Sequence, residues 1–137
     1  MMQLARTASL LVVLFLLAAT SWAAGGWYLL IPPRSEYNER AEYLSAYKIL
    51  DTKPLSQWGQ QGAYDSASEC EAIRHDLLMV EQRVHVKDTE NYIKAVGAGT
   101  DPAVLKTQRW VSEMSNANEE AFLASRCVRN DDPRLRR

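Results

Sequence analysis

Reactive side chains are scarce in this chain. Its 137 residues include two cysteines and two histidines, and neither type is arranged for chemistry. Cys70 and Cys127 stand too far apart in sequence for a CxxC redox pair or a haem-attaching CxxCH. His75 and His85 belong to no HExxH zinc-protease motif, and serine-hydrolase elbows and calcium loops are missing too. Gly97-Ala98-Gly99 lacks the third glycine, the lysine and the preceding strand of a phosphate loop, which leaves it as a helix connector. With a formal net charge of -1 there is no electrostatic case for nucleic acid. No internal repeat or long low-complexity tract is present. A nucleophile, a base and an orienting group cannot be assembled from what remains, so the chain reads as a non-enzyme without cofactor.

What is present begins with an export signal. Arg6 precedes an apolar run from Leu10 to Ala19, followed by small residues at Ser21, Ala23 and Ala24. That is the layout of a secretory signal peptide over residues 1–23, cut after Ala23. The alternative is an uncleaved anchor from Ala8 to Ile31, long enough to span a bilayer, with Trp27 and Tyr28 at the interface. Thr20, Ser21, Gly25 and Gly26 weaken such a helix, and no cysteine near the cut can carry an acyl anchor. Export places Cys70 and Cys127 in an oxidising compartment, where an even pair predicts a disulfide. Closing that loop contributes about 4 kcal/mol in the chain-entropy picture, a large share of a small domain's net stability.

The longest periodic stretch runs from Ser66 to Val86. Ser66 and Glu69 have capping-box spacing, and Cys70, Ile73, Leu77, Val80 and Val84 form one stripe, the expected core face. The end of this helix is not readable, lying either near Lys87 or beyond Tyr92 and Ile93. Asp101-Pro102 starts another helix, with Asp101 as N-cap and Val104, Thr107, Trp110, Val111 and Met114 on its apolar face. A break at Asn116 and Asn118, then a short helix from Glu119 to Arg126, is expected to aim Cys127 at Cys70. Upstream, residues 24–34 read as extended, Ser35 to Leu50 as a tyrosine-rich helix and Asp51 to Asp65 as a loop. Strand signals are few. The fold class is therefore mainly α: a small helical domain over residues 35–137 with long loops, stapled by one disulfide.

Two candidate sites follow. Trp58, Tyr64 and His75 flank the start of the long helix and are the candidate small-ligand residues, although residues such as Leu55 and Trp58 pin a loop against the following helix far more often than they contact a ligand. Glu71 with His75, and Glu81 with His85, have one-turn spacing for a metal clamp. The two histidines lie too far apart along a helix to share an ion, and local charge pairs explain both.

The segments Gly26-Trp27-Tyr28-Leu29-Leu30-Ile31-Pro32-Pro33, Pro54-Leu55-Ser56-Gln57-Trp58, Tyr64-Asp65-Ser66-Ala67, Glu69-Cys70-Glu71 and Asp131-Asp132-Pro133-Arg134-Leu135 together resemble a group of small exported bacterial proteins. That group has a two-cysteine mature domain and an Asp-Asp-Pro-Arg-Leu tail. The resemblance implies bacterial export and a cysteine pair as a shared trait, and brings no catalytic residue. The expected function is a non-catalytic structural or protein-interaction module of the envelope, periplasmic or secreted, with another envelope protein as partner. The alternatives are a periplasmic small-ligand or metal-binding protein, and a location at the inner membrane facing the periplasm through an uncleaved anchor.

Overall fold

The structure, a computed structural model, describes residues 26–136. The signal peptide expected over residues 1–23 lies outside the described residues. Strand β1 (Trp27–Ile31) is the middle of a three-stranded antiparallel sheet, flanked by β2 (Gly59–Tyr64) and β3 (Arg126–Arg129). Two helices, α1 (Ala67–Gly97) and α2 (Pro102–Ala124), form a hairpin against the sheet. No helix among the described residues is long and apolar enough to cross a membrane. The mainly helical class holds, with a sheet that the sequence reading did not contain.

Alternation along β1 gives the sheet two different faces. Leu29 lies opposite Cys127 in the β1–β3 register, and Cys127 is bonded to Cys70 at the start of α1, with Cα atoms 6.0 Å apart. Both Leu29 and Cys70 are fully buried on this helix-facing side. Leu30 and Val128 turn the other way and pack with Leu55 and Trp58, with Tyr28 and Leu135 at the margin. Trp58 fixes this second layer by donating its Nε1–H to the Lys53 carbonyl at 2.9 Å. The Leu55–Trp58 turn thus plugs the far face of the sheet, rather than the following helix as expected.

The helix starts are as read. Ser66 Oγ accepts from the Glu69 N–H at 3.1 Å, and Asp101 Oδ1 accepts from the Ala103 N–H at 2.8 Å. Glu69 reaches one residue further back than a capping box requires, accepting from the Asp65 N–H at 3.1 Å. The helix faces differ from expectation. Val80 and Val84 are 45% and 42% exposed, and Val104 and Trp110 are 46% and 40% exposed. Cys70, Ile73 and Leu77 do turn inward, but further along the hairpin the seam is polar: His85 Nδ1 meets Glu119 at 2.5 Å, and Thr89 meets Ser112 at 3.2 Å. An apolar count along the helix misplaces the stripe because these paired polar side chains take the inner positions.

The break expected at Asn116 and Asn118 is not there, since α2 is continuous to Ala124. Asn116 donates to Glu120 and Asn118 accepts from Arg34, so neither side chain competes for the helix backbone. Cys127 is aimed at Cys70 by β3, after Ser125 leaves the helix in extended conformation. The helix expected from Ser35 to Leu50 is also absent. Residues 33–50 fold back on themselves, with Ser35 N–H donating to Lys48 O, Asn38 N–H to Ala46 O and Leu50 N–H to Pro33 O. Within the expected loop, residues 59–64 form β2.

Candidate functional site

A groove of about 660 Å³ opens where β2 and the helix hairpin part. Its apolar side is made by Leu77 of α1 and Phe122 of α2, and its opposite wall by Gln60 and Gln61 of β2. Pro32 and Pro33 close the end where the chain leaves β1, because neither can extend the ladder as a donor. The two charges at its rim differ in how they are used. Arg34 donates to Asn118 Oδ1 at 2.6 Å and lies 5.4 Å from the centroid of the Tyr47 ring. Glu81, half-buried, has no hydrogen bond or ion pair among the described residues.

The strand beside this groove is open on one side. β2 pairs only with β1, and no other backbone hydrogen bond among the described residues involves Gly59 to Tyr64. Leu29 faces Gly62 while Leu30 faces Gln60, so Gln61 is an extra residue that bends the edge. Tyr64 folds back over Gly62, so a Cβ there would have to displace the end of the Tyr64 ring.

A second polar cluster joins α2 to the loop before β2, and within it only the Arg109 Nε–H is buried without a hydrogen bond among the described residues. Glu113 is 1% exposed. It accepts from the Leu44 N–H at 2.8 Å and the Ala46 N–H at 3.3 Å. Arg109 Nε approaches the same carboxylate at 3.5 Å, and Arg109 Nη2 donates to the Ala41 carbonyl at 2.5 Å. Tyr43 Oη meets Ser112 Oγ at 2.6 Å, and its ring lies 4.8 Å from that of Tyr92. The cluster fastens the 34–50 loop onto α2 and holds Leu44 at a positive φ of 66°. Tyr37 borders it, and burial raises the pKa of its hydroxyl. The Glu113 carboxylate and the Tyr43 hydroxyl are taken up by these contacts, so the arrangement serves to anchor the chain.

The three candidate ligand residues occupy different environments. Trp58 is buried in the second layer of the sheet, with the Arg126 guanidinium 5.3 Å from its ring centroid. The cleft of about 390 Å³ beside it is lined by residues such as Lys53, Leu55 and Arg134, and by neither Tyr64 nor His75. Tyr64 ends β2 opposite Trp27, and His75 sits on the exposed side of α1. The metal clamps are likewise not formed: Glu71 pairs with Arg74 at 2.7 Å, and His85 turns to Glu119 and not to Glu81. No group of three or more His, Cys, Asp or Glu side chains suited to a metal occurs among the described residues. The groove escaped the sequence reading because it is assembled from four distant segments. No local signal marked it: Glu81 is followed one turn on by His85, and only the tertiary bond of His85 to Glu119 leaves the Glu81 carboxylate unpaired.

No protein-family model, curated protein or solved structure matches the chain.

Proposed function

We propose that this is an exported envelope protein that works without catalysis, by holding part of another protein in the groove along β2. The observation that carries this reading is the open edge of β2 with a groove of about 660 Å³ beside it, sized for several residues of an extended chain. The disulfide supports export, since such bonds persist in oxidising compartments.

Photo-cross-linking in intact cells tests it. A photoreactive residue at Gln61, in the groove, is expected to yield discrete protein adducts. The same residue at Glu90, on the exposed side of α1, is expected to yield none. Absence of adducts from Gln61, or equal adducts from both positions, contradicts the reading.

A further inference from the structure

We infer that the segment held in the groove is an extended strand of a partner protein in which an apolar residue and a lysine or arginine alternate, apolar-x-basic. This rests on the groove being a protein-binding site and adds what the partner must carry. Natural sheets guard their free edges with charged residues or prolines. β2 reads Gly-Gln-Gln-Gly-Ala-Tyr and has neither, whereas the opposite edge strand, β3, carries Arg126 and Arg129. Only the bulge at Gln61 interrupts β2, and it lies at the end of the stretch Gly59, Gln60 and Gln61 that lines the groove.

A strand added to β2 places every second side chain on the helix-facing side. Leu77 and Glu81 stand one helical turn apart in this groove, close to the spacing of alternate side chains on a strand, so a side chain over Leu77 and Phe122 directs the next on that side toward Glu81. Glu81 is a half-buried carboxylate without a partner, beside an Arg34 that is already engaged by Asn118 and Tyr47. An incoming cation answers this charge, and an incoming carboxylate is repelled by it. A second copy of this chain is a poorer occupant. Pairing β2 with β2 brings six uncharged residues and leaves both copies of Glu81 unanswered.

The experiment selects a displayed library of random nine-residue peptides against the oxidised, exported protein, then measures synthetic versions of the winners. The expected winners carry the apolar-x-basic pattern and slow amide exchange across residues 59–64. Glu81→Gln is expected to weaken them roughly tenfold, the usual worth of a hydrogen-bonded charge. Glu81→Lys is expected to reverse the preference toward acidic peptides. Glu81 has no partner to lose, so both variants should melt as the wild type does. Winners that protect residues 59–64 without a basic residue, or that ignore both substitutions, overturn this inference and leave the groove as a binding site. Winners that protect another surface, or none at all, overturn it as well, and the cross-linking from Gln61 then decides the groove separately.

Discussion

Replacing Glu113 with alanine should detach the 34–50 loop while leaving the sheet and the helix hairpin folded. The side chain is 1% exposed and is the acceptor for two loop amides, those of Leu44 and Ala46. Removing it strands both donors and takes the counter-charge from Arg109, 3.5 Å away. Each stranded donor costs about 1–3 kcal/mol, and breaking one partner from a buried ion pair costs about 3–5 kcal/mol in all. These overlap, because a loop that lifts off recovers water for its amides. A net loss of about 3–4 kcal/mol is therefore expected, a large fraction of a typical small-domain stability. Glu113→Gln keeps one acceptor oxygen but turns an amide donor toward the second N–H, so its cost should be smaller, about 1–3 kcal/mol. Urea unfolding gives the totals. Hydrogen exchange shows where the loss falls, with residues 34–50 losing protection before 67–97 and 102–124. If Glu113→Ala unfolds within about 0.5 kcal/mol of the wild type, the effect of an ordinary surface change, the anchoring argument is wrong.

Two further outcomes follow from other parts of the molecule. Trp58→Ala empties the second layer of the sheet and removes the bond to Lys53, and should cost about 3–5 kcal/mol in urea unfolding; a loss under about 1 kcal/mol would show that the layer is not a core. The Arg134 side chain and backbone N–H hold the Asp132 carboxyl down from 3.8 to about 2. The folded value lies below the unfolded one, so this interaction is in place above about pH 3.8 and is lost as pH falls through about 2. A carboxyl titration followed by NMR should find that midpoint, with Arg134→Ala raising it only part of the way to the ordinary range because the backbone N–H at 134 still donates; an ordinary midpoint in the wild type would refute the pairing.

What could be read in advance was local. Ser66 with Glu69 and Asp101 with Pro102 mark helix starts within three residues, and the structure has both caps in place. The Cys70–Cys127 pairing needed only a count and a compartment. Helix faces were misjudged wherever tertiary partners override hydrophobicity. Ser112, Glu113 and His85 are inward because Tyr43, Leu44 and Glu119 meet them, and two of those partners lie in a loop distant in sequence. Tyr37, Leu44 and Tyr47 have near-helical spacing, yet with the Leu44 and Ala46 amides captured by Glu113 the Tyr37 and Tyr47 rings meet each other at 5.4 Å across the fold-back and Leu44 is left exposed. β2 was invisible because glycine and glutamine give no alternation and little strand preference; β1 alone supplies its template. The candidate trio Trp58, Tyr64 and His75 grouped neighbours in sequence that the sheet separates.

The groove depends on the hairpin being held to the sheet, and the bond between Cys70 in α1 and Cys127 in β3 adds a covalent cross-link to the main-chain connections between them. Thermal unfolding of the exported protein with and without a reductant tests this most directly. Closing a loop of 57 residues corresponds to about 4 kcal/mol, which for a domain of this size lowers the melting temperature by about 15 °C when the bond is cut. An equal melting temperature in both conditions, with reduction confirmed by mass, would contradict the account.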